Sequence, residues 1–137
     1  MSSFAEFEWM NFASSLKLKT MTEYLLLFRN ASAEHGYLTT SQDMAEDMPK
    51  WQSWIGNIAM QGKLVHTAPV RYDATIVVNN EFVPGPHKEA DSVLVSGFLI
   101  CKSDNLEEVQ AWSKTCPILK YPKSSVEIRP LIPFQIN

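Results

Sequence analysis

The run from Ser92 to Cys101, Ser-Val-Leu-Val-Ser-Gly-Phe-Leu-Ile-Cys, constrains the fold more than any other part of the chain. It is the most apolar strand-like segment. Its apolar residues occupy both alternating faces, the pattern of a strand covered on two sides. The first strand, expected at Thr22–Phe28, has the same character, because Tyr24 to Phe28 is apolar without a break. Two such strands at the centre of a sheet need helices on one face and further apolar cover on the other.

The elements around these strands follow from local chemistry. Arg29 to Thr40 reads as a loop with His35 and Gly36, and Thr40-Ser41-Gln42-Asp43 offers capping side chains for a helix beginning near Ser41. Pro49 lacks an N–H and crowds the preceding turn, so the spacing predicts a short first piece and a main helix from about Met48. Trp51, Trp54, Ile55, Ile58 and Ala59 then fall on one helical stripe that ends at Gly62.

Strands are predicted at Leu64–Thr67 and Ala74–Val78. Asn79-Asn80 tolerates positive φ and returns the chain as a hairpin through Glu81–Val83. A rigid Pro84-Gly85-Pro86 loop carrying His87 leads into the central apolar run. Asp104 to Glu107 has capping-box spacing before a second helix with Leu106, Val109 and Trp112 on its stripe, stopped by Pro117. Val126–Arg129 alternates as a last strand, and Pro130 and Pro133 confine the C-terminal residues to an edge or a tail.

The order strand, helix, strand, hairpin, strand, helix, strand predicts an α+β fold: a ferredoxin-like βαβ(ββ)βαβ antiparallel sheet with both helices on one face. The opposite face then stays apolar and bare, which is unusual on a monomer. A homodimer with its sheets packed face to face would cover it. Residues 21–137 form this domain. Residues 1–20 are an extension: either a short amphipathic helix, with Phe4, Phe7 and Met10 on one side, or a segment preceding a domain that starts at Met21.

Composition excludes several functions. With 45% apolar and 20% charged residues the chain is an ordinary folded protein, and a net charge of -3 with scattered Lys and Arg gives no footprint for nucleic acid. No apolar run reaches the roughly 20 residues of a membrane span, and the early Glu6 and Glu8 do not suit a secretory signal. A cytoplasmic location is expected. Cys101 and Cys116 are too few for a disulfide framework and read as buried thiols.

At this point the ordered motifs resemble a known family. Tyr24-Leu25-Leu26-Leu27, Gln61-Gly62-Lys63-Leu64, Gly85-Pro86, Glu89, Gly97-Phe98-Leu99-Ile100, Leu106-Glu107, Ala111-Trp112 and Val126-Glu127-Ile128-Arg129-Pro130 cover about four fifths of the chain. Together they resemble the YCII-related proteins, and within them the branch named for an Asp-Gly-Pro-Phe motif. The resemblance implies a dimeric α+β barrel. That branch often occurs beside extracytoplasmic-function sigma factors, which implies an accessory or regulatory role. Three departures stand out. The family motif reads Pro84-Gly85-Pro86-His87, the paired glycines before Phe98 read Ser96-Gly97 with one extra residue ahead of them, and Lys50-Trp51 stands where a catalytic His of some relatives would lie.

Two functions are expected. One is a homodimeric small-molecule-binding or accessory protein with a pocket between sheet and helix. The other is a cofactor-independent lactone isomerase, lyase or dehalogenase. In that case His87 is the general base, oriented by Glu89 and charged by Asp91, with His66 reaching the same cleft. Otherwise His87 is a solvated loop residue. Trp51 and Phe98 would line a ligand pocket. Glu127 and Arg129 share a strand face, where Arg129 either offers a fork to a ligand carboxylate or joins a structural ion pair. A metal site from His35, His66 and His87 would need three distant segments to converge, so neither metal nor cofactor is expected.

Overall fold

The computed structural model describes residues 20–31 and 41–134, and the readings for the extension and for His35 lie outside them. Strand β1 (Thr22–Ala31) is followed by helix α1 (Ser41–Met60) and strand β2 (Leu64–Pro69). The hairpin β3 (Thr75–Val78) and β4 (Glu81–Pro84) comes next, then strand β5 (Val93–Ser103), helix α2 (Leu106–Lys114) and strand β6 (Ser125–Pro130). The main sheet has the order β2-β5-β1-β6, and every neighbouring pair is antiparallel. The two long apolar strands are therefore the central ones, as their two-sided patterning requires. The hairpin forms a separate two-stranded sheet. Its turn is built on Asn79 (φ 50°) and Asn80 (φ 65°), the positive values that asparagine tolerates.

One sheet face holds the core. Tyr24, Leu26 and Phe28 of β1 and Leu99 and Cys101 of β5 pack with Trp54 and Ile58 of α1 and Val109 of α2, so both helices lie on this side. Fully burying side chains such as Leu26, Ile58 and Leu99 stabilises the fold by about 1.5–3 kcal/mol each. Polar ties align the helices. Trp54 Nε1 donates to the Trp112 carbonyl at 2.9 Å, and Lys63 Nζ reaches both Glu108 oxygens at 2.7 and 2.9 Å. The other face presents Leu25 and Leu27 of β1 beside Phe98 and Ile100 of β5, all half-buried.

Three local features differ from expectation or refine it. Helix α1 is continuous through Pro49. Pro49 and Ala45 are both exposed, so water can satisfy the carbonyl that proline leaves without a donor, and the packed stripe beyond holds the helix together. The cap of α2 is Asn105, whose side chain accepts from Glu108 N at 2.8 Å, one residue later than the predicted Asp104–Glu107 box. Glu108 does not close a box. It accepts from Ser103 Oγ at 2.7 Å and from Lys63. Gly62 (φ +71°) ends α1 as expected, with Gly62 N donating to Ala59 O and Lys63 N to Ile58 O.

The extra residue before Gly97 is absorbed by a bulge. Phe28 pairs with Gly97 but Arg29 pairs with Val95, so Ser96 has no partner of its own on β1. Ser96 Oγ donates to the Phe28 carbonyl at 3.1 Å, and Ser96 O accepts from Val70 N. Past the bulge, Leu94 stays on the helix side opposite Asn30, and Val95 joins Arg29 on the open side.

Candidate functional site

A cavity of about 370 Å³ lies between the N-terminal half of α1 and the ends of β1, β2 and β5. Phe28, Trp51, Ile55, Leu94 and Ile118 make it largely apolar. Trp51 stands edge-on to Phe28 (centroids 5.2 Å apart) and to Trp54 (5.7 Å). Leu94 reaches this wall because the bulge at Ser96 resets the alternation of β5.

Polar side chains interrupt the apolar lining, Asn30, Asp47, Tyr121 and Arg71 among them. Asn30 continues the inward series of β1, is buried, and uses Oδ1 to accept from Ala31 N at 2.9 Å. Asp47 lies one helical turn before Trp51, and the positions 47, 51, 54 and 58 share one face of α1. Its side chain is only 8% exposed. It accepts from Lys120 Nζ at 2.5 Å and from the hydroxyl of Tyr121. Both donors come from the 3-10 turn Pro117–Lys120 and the residue after it.

Burial pushes the Asp47 carboxyl upward, but the bonds from Lys120 and Tyr121 and the charges of Lys120 and Lys50 outweigh it, holding the group below its ordinary value. Burial first, then the bond to Asp47, pushes Tyr121 up to about 12. At neutral pH the cluster is thus a carboxylate, an ammonium and a phenol that donates.

A second hollow, of about 450 Å³, adjoins the cavity and shares Val70, Arg71, Pro86, Leu94 and Val95 with it. His87, Glu89, Arg29, Arg71 and Asp73 line the hollow. His87 and Glu89 are exposed there. Among the described residues no hydrogen bond joins His87 to Glu89 or Asp91. Glu89 instead lies 3.3 Å from Arg29 Nε. The arrangement is less enclosed than the first cavity and has more charge.

The structure separates the other residues expected at the site. His66 and Phe98 face each other on the open side of the sheet, with centroids 5.5 Å apart, and His66 does not reach the hollow of His87. The register between β2 and β5 puts His66 opposite Ile100, and this fixes its side. Glu127 accepts from Arg29 at 2.6 Å and lies 3.6 Å from Arg129, so the two β6 residues belong to an ion cluster around Arg29. Asp91 sits in an exposed turn, 3.8 Å from Lys123. Among the described residues no group of three His, Cys, Asp or Glu gathers as a metal site, and no helix is long and apolar enough to cross a membrane.

The family model of the YCII-related domain matches residues 18–135. The chain belongs to the YCII-related domain family. No curated protein matches it. In this YCII-related chain Trp51 is a wall of the apolar cavity. Asp47, Tyr121 and Asn30 were not singled out in the sequence. Asp47 had a legible signal, a charge four residues before Trp51 on the apolar stripe. Asn30 had a weaker one, as the next inward position after Phe28.

Proposed function

We propose that the chain is a small-molecule-binding accessory protein that acts as a homodimer, and that its ligand occupies the cavity between α1 and the sheet. The cavity carries this reading. Its volume and apolar lining with a few polar groups suit a small organic molecule. Binding stands ahead of catalysis because the acid meant to orient His87 is engaged by Arg29. Two free buried thiols suit a reducing, cytoplasmic setting.

The strand order supports a ferredoxin-like topology, and the half-buried Leu25, Leu27, Phe98 and Ile100 support a dimeric α+β barrel closed by a second sheet. Light scattering tests the assembly: wild type is expected at twice the monomer mass, and Leu27→Asp at the monomer mass. A wild-type monomer at micromolar concentration would refute the dimer. The cavity is tested with ethylbenzene, followed by the fluorescence of Trp51. Binding is expected in wild type and loss in Ile55→Trp, which fills the space. Equal binding to both proteins would place the ligand elsewhere.

A further inference from the structure

We propose that Asp47 is the recognition point of the cavity, and that the site selects neutral ring compounds bearing a hydroxyl or N–H donor over hydrocarbons and over carboxylates. The inference rests on the reading of the cavity as a ligand site and specifies what that site takes.

A carboxylate offers about four lone-pair positions. Lys120 Nζ takes one on Oδ1 and the Tyr121 hydroxyl takes one on Oδ2. Capacity remains on both oxygens, and the residue lines the cavity. A donor brought in by a ligand therefore finds an ionised acceptor already held in place by two bonds. Such charge-assisted bonds are the stronger class, and a fixed acceptor gives them geometric selectivity.

The charge balance determines which ligands are excluded. Asp47 is neutralised by Lys120 at 2.5 Å, and Arg71, which also lines the cavity, is paired with Asp73 at 2.8 Å, so neither charge on the lining is left unpaired for an ionic ligand to offset. A carboxylate ligand would face Asp47 in a largely apolar space, and a cation would meet an Asp47 already bonded to the Lys120 ammonium. The apolar part of the lining, Phe28, Trp51, Ile55, Leu94 and Ile118 among it, accepts an apolar ring. At about 30 Å³ for each water-sized unit, the 370 Å³ cavity holds a single-ring compound with a short substituent. Asn30 adds a second polar point: its Oδ1 is taken by Ala31 N, which turns the amide's donor end toward other partners.

The Asp47–Tyr121 bond gives two substitutions of opposite sign. Asp47→Asn removes the charge from the acceptor. Tyr121→Phe leaves the charge and vacates one lone-pair position beside the cavity. A residue that only held α1 against the turn at Pro117–Lys120 would weaken all ligands alike in both variants.

The probes are 4-ethylphenol, ethylbenzene and 4-ethylbenzoate, with affinities measured by calorimetry and Trp fluorescence. In wild type, 4-ethylphenol is expected to bind at least about tenfold more tightly than 4-ethylbenzoate. In Asp47→Asn it should lose about tenfold, the difference between a charged and a neutral acceptor, with ethylbenzene changing less than about twofold. In Tyr121→Phe, 4-ethylphenol should bind more tightly and ethylbenzene as before. Parallel changes in 4-ethylphenol and ethylbenzene would overturn the role of Asp47, as would 4-ethylbenzoate binding as well as the phenol. If Asp47→Asn does not fold, Tyr121→Phe decides: no gain for the phenol rejects the proposal. If ethylbenzene binds and Ile55→Trp abolishes it, failure of the phenol series rejects Asp47 alone. If none of the three compounds binds, the cavity reading falls with it.

Discussion

Ile55 and Ile58 are the same residue type on one helix, less than a turn apart, and they test whether the space beside α1 is a cavity. Ile58 is fully buried within the core cluster. Ile58→Ala removes three carbons, worth about 2.4 kcal/mol at ~0.8 kcal/mol each. A residual void of about 50 Å³ at ~24 cal/mol per Å³ adds about 1.2 kcal/mol. The total, about 3.5 kcal/mol, lies in the usual range for such truncations. With about 2.1 cal/mol/K per residue, the 137-residue chain should lose about 12 °C in Tm.

Ile55 is half-buried and already borders empty space, so Ile55→Ala deletes fewer contacts and creates no sealed void. Its cost should be about 1 kcal/mol, or 3–4 °C. The same change should enlarge the ligand space and admit a longer substituent than ethylbenzene. Scanning calorimetry measures both variants beside wild type. Equal losses for the two residues would refute the reasoning, because Ile55 would then be packed on all sides and the cavity would be closed.

Other consequences are smaller. Gly62→Ala meets nothing within 4 Å, so its cost is that of the +71° backbone alone, about 1 kcal/mol by chemical denaturation. The bond from Lys63, opposed by burial and helped by Ser103, holds the Glu108 carboxyl below its ordinary 4.5. Its stabilisation is therefore complete above that pH and is lost as pH falls through the lower folded value. Glu108→Gln should flatten the fall in Tm between about pH 5 and 3. An unchanged acid limb would contradict that assignment. Burial pushes Cys101 to about 11 and Cys116 to about 12. Iodoacetamide at pH 8 should therefore label the native protein at least about a hundredfold more slowly than the urea-unfolded chain. Comparable rates would mean the thiols are accessible.

Local backbone chemistry was legible in the sequence wherever one residue dominates it. Asn79-Asn80 and Gly62 adopt the positive φ they were expected to adopt, and the two-sided apolar strands sit at the centre of the sheet. The misjudged features depend on solvent and on distant partners. Pro49 is tolerated because its surroundings are exposed. The cap of α2 sits one residue later, at Asn105, and the Glu108 carboxylate bonds to Lys63 and Ser103 instead of closing a box. The same effect hid the site. Expecting a break at Pro49 took Asp47 out of the register of Trp51, Trp54 and Ile58. Nothing local announces Lys120 or Tyr121, whose partner is 73 or 74 residues away. His87 drew attention through its rigid loop, yet rigidity of a loop does not enclose a side chain.

The bulge at Ser96 lets β5 carry one residue more than β1 without changing which side chains meet the cavity. Deleting Ser96 would restore simple pairing past Phe28 with Val95 still opposite Arg29 and Leu94 still opposite Asn30. If the extra residue were instead paired regularly, Ser96 would face Arg29 and Val95 would face Asn30, turning Val95 in toward Trp51 and Leu94 out to the open sheet face. The bulge therefore protects two surfaces together: the wall that meets a ligand and the face proposed to meet a second subunit. A change of strand length by one residue at this point is absorbed locally, so a lineage could gain or lose the residue and keep both surfaces.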